Sequence, residues 1–172
     1  MKHLTILFVL LILCLPACNK NSEPPLEVKL PISEEFVPAN VIFDYSDKDF
    51  LNKLKEWNNK KVVVNSVEEM PDDPLGFNEY FYKINFSDQT LLLYYQLHDY
   101  DVVSYENIYY RNTKENNYNW TIYLGINGEI NDEDNIEKLI ISRYAILVKK
   151  LPDNADVCIW QSISDHSISW FD

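Results

Sequence analysis

Leu91-Leu92-Leu93-Tyr94-Tyr95 is the stretch that decides the fold. Successive side chains of a strand point to opposite faces, so an extended segment of this composition is apolar on both sides. Tyr109-Tyr110 and the run from Tyr144 to Val148 repeat the pattern. A two-layer β-sandwich buries only the inner face of each sheet, so a sheet containing these strands needs a second cover. Phe50, Leu51, Leu54 and Trp57 fall at i, i+1, i+4 and i+7, behind an N-cap at Ser46 and an acidic Asp49 three residues on. That spacing predicts one helix near residues 47–57 with an apolar face. Laying this helix on the sheet removes the exposed apolar patch and is the expected arrangement.

Outward from this centre the chain reads almost entirely as β. Lys61-Val62-Val63-Val64 is expected as a strand after the Asn58-Asn59 break, and Glu79 to Phe86 as another, with Tyr80, Tyr82, Ile84 and Phe86 on one face. Thr90 to Tyr95 follows the turn at Ser87-Asp88. Val102 to Arg111 and Tyr118 to Leu124 form a pair joined through Thr113 to Asn117. An acidic loop, Gly125 to Asp134, leads to a helical turn at Ile136 to Ile140. Arg143 to Lys149 and Asp156 to Ile163 are further strands, with a short tail at Ile168 to Phe171. The whole is a mostly β (α+β) fold: an antiparallel β-sandwich or partly open barrel of about six to eight strands with one helix.

The N-terminus is read as a processed segment. Met1-Lys2-His3 gives a basic start, and Leu4 to Leu15 is an apolar run broken only by Thr5 and Cys14. The run is shorter than the ~20 residues of a transmembrane helix. Leu15-Pro16-Ala17-Cys18 resembles the lipobox of bacterial lipoproteins. The resemblance implies that residues 1–17 are a signal peptide and that Cys18 is acylated, which attaches the chain to a bacterial membrane without spanning it. Residues 18–40 carry Pro24, Pro25, Pro31 and Pro38 and no glycine. Such a segment is a semi-rigid tether of at most ~70 Å, although Leu26 to Leu30 alternates cleanly enough to dock as an edge strand. Residues 41–172 then form a single β-rich domain.

Composition narrows the function. Loss of Lys2 with the leader leaves 14 basic against 27 acidic residues, a net charge of −13. An acidic surface argues against nucleic acid and against lying flat on anionic lipid. After removal of Cys14 and acylation of Cys18, Cys158 is the one free thiol. It lies in the apolar run Val157-Cys158-Ile159-Trp160 and is expected to be buried.

Sites for chemistry are few. His98 and His166 each stand beside an aspartate, Asp99 and Asp165, with Asp101 near the first. Neighbouring strand residues diverge, so these pairs lack the spacing of metal ligands and no metal is expected. Asn131-Asp132-Glu133-Asp134 lacks the glycine and the later glutamate of an EF-hand loop. With Gly76, Gly125 and Gly128 the only glycines, a phosphate loop of bare backbone is nearly excluded. No cofactor is implied. Twelve tyrosines and four tryptophans pull instead toward binding. One sandwich core cannot hold both members of Tyr94/Tyr95 or of Tyr109/Tyr110, so these four are the candidate outward surface.

The order Ile84-Asn85-Phe86-Ser87-Asp88-Gln89-Thr90-Leu91-Leu92-Leu93, a Tyr-rich hairpin, and then Arg143 to Pro152 resembles small envelope lipoproteins of unknown function. It is also similar to the PrcB-like domain, a compact β module named for a protease complex subunit, over about residues 79–160. The resemblance implies a β module and assigns no functional residue. Where PrcB-like domains carry a Gly-Gly-Tyr-type turn, this chain has Gln96-Leu97-His98-Asp99-Tyr100-Asp101.

The sequence thus points to a membrane-anchored cell-envelope lipoprotein, a non-enzymatic binding or accessory module for an envelope glycan or protein partner. The alternatives are a hydrolytic enzyme using His98 and His166 with their aspartates, and a purely structural lipoprotein. The anchor is directly testable. Cys18→Ala should abolish incorporation of a radiolabelled fatty acid in cells and leave an unprocessed or soluble precursor, and a variant that still takes up label would remove the assignment.

Overall fold

The structure, a computed structural model, describes residues 26–43, 48–76, 79–127 and 139–165. Eight strands make two four-stranded sheets. They are β1 (Glu27–Lys29), β2 (Glu34–Phe43), β3 (Lys61–Val64), β4 (Gln89–His98), β5 (Asp101–Asn112), β6 (Asn117–Asn127), β7 (Leu139–Lys149) and β8 (Val157–Asp165). The first sheet has the order β1-β5-β6-β8 and the second β2-β7-β4-β3. All pairings are antiparallel except β6 with β8. One helix, α1 (Lys48–Lys55), and two short 3-10 segments (Val67–Glu69 and Glu79–Lys83) complete the described elements. The β-sandwich alternative holds, and the barrel does not close.

Strand alternation builds two cores, one on each side of β4 and β7. Between the sheets lie Leu92 and Tyr94 of β4, Tyr144, Ile146 and Val148 of β7, and Trp120, Ile122 and Leu124 of β6, all buried. The opposite face of the second sheet presents Leu91, Leu93, Tyr95, Ala145 and Leu147, which pack with Val64 and Phe81. The expected cover is found, in a composite form. Leu54 of α1 is fully buried, and Trp57 just beyond the helix sets its ring 4.7 Å from that of Tyr95, edge to face. The connection between β3 and β4 supplies the rest through Met70, Phe81, Ile84 and Phe86.

That connection overturns one expectation. Residues 79–83 are a 3-10 turn and not part of a strand. Phe81 points into the second core while Tyr80 and Tyr82 are exposed, so the apparent two-residue alternation of tyrosines lies on the solvent side. Burial of Phe81 and partial burial of Ile84, three residues apart, fits the three-residue repeat of a 3-10 turn. The stretch read as a tether is also partly folded. β1 and β2 both belong to sheets, and Leu30 donates its N–H to the Tyr109 carbonyl at 2.8 Å. Leu139 and Ile140, expected in a helical turn, begin β7. The acidic loop beyond Asn127 and the tail from Ile168 lie outside the described residues.

A buried ion pair fixes the cover to the sheet. Arg143 of β7 pairs with Asp73, both side chains almost fully enclosed. Tyr95 donates its hydroxyl to the same Asp73 carboxylate at 2.9 Å, and Leu75 donates its N–H to the other oxygen at 2.8 Å. The guanidinium also donates to the Gly76 carbonyl at 2.8 Å and lies 5.1 Å from the Phe81 ring centroid. Gly76 has φ +72°, a left-handed conformation that glycine adopts freely. Removing one partner of such a pair leaves a buried charge uncompensated. Asp73→Ala should therefore cost about 3–5 kcal/mol, measured by denaturant unfolding, and a loss below about 1 kcal/mol would mean that the 71–76 loop does not hold the cover in place.

Candidate functional site

The space between the sheets is not uniformly apolar. On β4 the inward row runs Leu92, Tyr94, Gln96, His98, and on β7 it runs Val148, Ile146, Tyr144, Ser142. Both rows therefore change from aliphatic to polar toward the same end of the sandwich. Asn40 of β2 stands opposite Ser142 and completes a lateral row of three with Gln96.

These groups form a continuous chain of hydrogen bonds. Ser142 Oγ donates to Asn40 Oδ1 at 2.6 Å and lies 2.7 Å from His98 Nε2. The other ring nitrogen, His98 Nδ1, is 2.8 Å from the Tyr100 carbonyl, and the imidazole stacks on the Tyr100 ring at 4.5 Å. The Tyr100 hydroxyl accepts from Gln96 at 2.5 Å and from Gln161 of β8 at 3.1 Å. A carbonyl only accepts, so Nδ1 carries a hydrogen. The orientation of the Asn40 amide sets whether the Ser142 hydroxyl donates to Asn40 or to the ring.

Two buried polar atoms in this half make no well-formed hydrogen bond: Gln96 Oε1 and the Tyr144 hydroxyl, which lies near that of Ser142. Burial pushes Tyr144 above the ordinary tyrosine value, against a smaller opposing pull from the Ser142 hydroxyl, so its hydroxyl stays protonated. Beside it opens a cavity of about 220 Å³ lined by Val37, Pro38, Asn40, Val102 to Tyr105 and Tyr144. Both β-bulges among the described strands flank this opening. In β2 the register shifts between Phe36 and Ala39, around Val37 and Pro38, and in β5 between Val102 and Ser104. Proline fits here because a bulge on an edge strand needs no ladder donor. The bulges turn Val37 and Val103 outward, at 83% and 55% exposure, and leave Tyr105 at the rim.

The tyrosines singled out in the sequence are placed differently. Tyr94 and Tyr95 are both buried, one in each core, because the sheet has cover on both sides. Tyr109 is in the inter-sheet core, and Tyr110 is half-buried on the outer face of the first sheet. That face also carries exposed Tyr123 and Trp160. Cys158 is half-buried there, not enclosed. His98 is buried within the polar chain, whereas His166 lies outside the described residues, so the pair is not brought together here. The Ser142–His98 distance is what a hydrolytic reading would use, but Ser142 has 0% exposure and its hydroxyl lies behind Asn40. Among the described residues no group of three His, Cys, Asp or Glu side chains is arranged to hold a metal ion, and no helix is long and apolar enough to cross a membrane. Sequence reasoning missed Asn40, Gln96, Ser142 and Tyr144. Their signal was polar residues at core-period positions of apolar strands.

No protein-family model, curated protein or solved structure matches this chain.

The two kinds of polar group should respond oppositely to mutation. Ser142→Ala strips a partner from both His98 and Asn40 and should cost about 1–3 kcal/mol. Tyr144→Phe removes a buried hydroxyl that makes no well-formed hydrogen bond and should melt at or above the parent temperature. Differential scanning calorimetry of the two variants checks the pair, and a Tyr144→Phe loss as large as that of Ser142→Ala would show that the hydroxyl is satisfied in the free protein.

Proposed function

We propose that this chain is a lipid-anchored envelope module that binds an uncharged sugar residue of an envelope glycan at the opening between the two bulges. The observation that carries the reading is the buried Tyr144 hydroxyl, near Ser142 but without a well-formed hydrogen bond, beside a cavity lined by the Asn40 amide and a tyrosine rim. A buried polar group without a partner is destabilising and calls for a reason, and a ligand that supplies the missing hydrogen bond is such a reason. The groups on offer are amides, hydroxyls and aromatic faces, with no carboxylate among the lining residues. Neutral donors and acceptors match a ligand of hydroxyl and acetamido groups, and the Tyr105 ring suits the apolar face of a sugar. The cavity is smaller than the 300–1,000 Å³ usual for a drug-sized molecule, which fits one ring of a longer chain.

Titration of the purified protein with N-acetylglucosamine, its β-1,4-linked dimer and the corresponding glucose oligomers, followed by amide chemical shifts, tests the reading. Saturable binding is expected, with shifts at Asn40 and Tyr105. Tyr144→Phe and Tyr105→Ala should each weaken it about tenfold or more, a loss of ~1.4 kcal/mol, with little change in melting temperature. Binding that survives both substitutions, or none at millimolar saccharide, would sink the proposal. Cleavage of the oligomers that disappears in His98→Ala would favour the hydrolytic alternative.

A further inference from the structure

The sandwich has another cavity, at the end where the chain enters it. It measures about 200 Å³ and is lined by Leu30, Pro31, Tyr109, Arg111, Tyr118 and Leu151, with Lys149 and Lys150 completing the wall. Tyr109 and Tyr118 stack nearly parallel, 6.2 Å between centroids and 12° between planes. The link from β1 to β2 lies against them, held by the Leu30 N–H on the Tyr109 carbonyl. The walls are thus two aromatic rings, two aliphatic side chains and a proline.

Three features of this cavity ask for an anion. The chain carries a net charge of −12, yet three basic residues and no acidic one line this space, a local excess of positive charge. Arg111 is not neutralised. Its guanidinium donates to the uncharged Asn116 amide oxygen and lies 5.8 Å from the Tyr118 ring centroid, with no carboxylate in salt-bridge contact among the described residues. Lys150, by contrast, is committed to the Asn65 carbonyl at 2.9 Å, which leaves Arg111 and Lys149, and of the two only Arg111 offers a planar fork. Finally, Tyr109 is 2% exposed and its hydroxyl has no hydrogen-bond partner.

We infer that this cavity binds a small carboxylate with an apolar body, the acid group on Arg111 and the body between the tyrosine pair and Leu30, Pro31 and Leu151. The planar guanidinium fork matches a carboxylate in two parallel hydrogen bonds, and such charge-assisted bonds are the strong ones. The Tyr109 hydroxyl adds a donor to the floor that nothing in the free protein uses. Because Leu30 and Pro31 join the lipid-proximal segment to the domain, an occupied cavity also holds that segment to the sandwich. This site is independent of the glycan-binding opening.

Calorimetric titration of the purified full chain with phenylacetate and with its neutral isostere phenylacetamide reads the inference. The acid should bind and the amide should be at least about tenfold weaker, as expected for loss of a charge-assisted pair. Arg111→Gln should lose about tenfold in affinity at an unchanged melting temperature, because the bond it gives up, to Asn116, is exposed. Arg111→Lys, which keeps the charge and loses the fork, should fall between. Tyr109→Phe should melt no lower than the parent and bind several-fold more weakly. N-acetyl-Ala-Phe as free acid and as amide separates the two sources of this chemistry: tighter binding than phenylacetate points to a peptide C-terminus, weaker binding to a free small acid. Equal affinity for acid and amide, undiminished binding by Arg111→Gln, or no saturation by any of these acids would overturn the inference.

Discussion

The double-sided burial of β4 and β7 is the constraint on which the rest of this molecule depends. Both strands are central in their sheet, and nearly every side chain of either is out of water. At about 25 cal/mol per Å² of apolar area, leaving one face of such strands bare would forfeit much of what holds a domain of this size together. The chain meets the demand by inserting its only described helix and a long irregular connection between β2 and β4. The Arg143–Asp73–Tyr95 cluster then ties that connection to the sheet at a point where packing alone would leave a loop free. Among the described residues the first sheet has no comparable cover, and Tyr123 and Trp160 are exposed on it.

Inside the sandwich the same two strands set up a gradient. Their inward rows begin with Leu92 and Val148 and end with His98 and Ser142. A polar interior costs stability unless every group is satisfied, and a partly satisfied network costs the most. Most groups here are satisfied, through the Asn40–Ser142–His98–Tyr100 chain and the amides of Gln96 and Gln161. The exceptions include Tyr144 at the cavity, where β2 and β5 each bulge away from regular pairing. The coincidence of two bulges, an opening and a poorly satisfied hydroxyl is what separates this spot from ordinary core.

Much of the architecture was legible in the chain. Lys61–Val64, the Val102–Leu124 hairpin and the need for a second cover over Leu91–Tyr95 all follow from apolar periodicity. Two failures have the same root. Tyr80, Tyr82, Ile84 and Phe86 alternate like a strand, yet a five-residue 3-10 turn gives a similar text when its exposed side is aromatic. Tyr94 and Tyr95 split between core and surface only if the inter-sheet core alone is counted, whereas the second cover that Leu91–Tyr95 demands gives each ring a core. Periodicity says which residues share a face and not how many faces are covered. The site was less legible still. Ser142 sits in a run of buried residues and Gln96 continues the period of Leu92 and Tyr94, but their meeting with Asn40 depends on the order β2-β7-β4, which joins segments about 50 to 100 residues apart.

Topology also orients the two cavities relative to the proposed anchor. The described chain begins at Leu26, whose carbonyl accepts from the Thr113 N–H at the β5–β6 turn. β1 then runs antiparallel to β5 before crossing to β2 beside Leu147. The entry point is thus at the end of the sandwich that holds Arg111, Lys149 and Leu151, together with the carboxylate cavity. The polar half lies at the other end. From Lys149 to Ser142 along β7 is seven residues, or ~23 Å at about 3.3 Å per residue. Were Cys18 the membrane attachment, as proposed, Leu26 would enter at the end nearer the anchor and the neutral opening would lie at the far end. A site built for an extended envelope polymer belongs on that distal side. A cavity that binds a small anion and grips the tether belongs on the proximal side, where occupancy would change how much of the tether is free to extend.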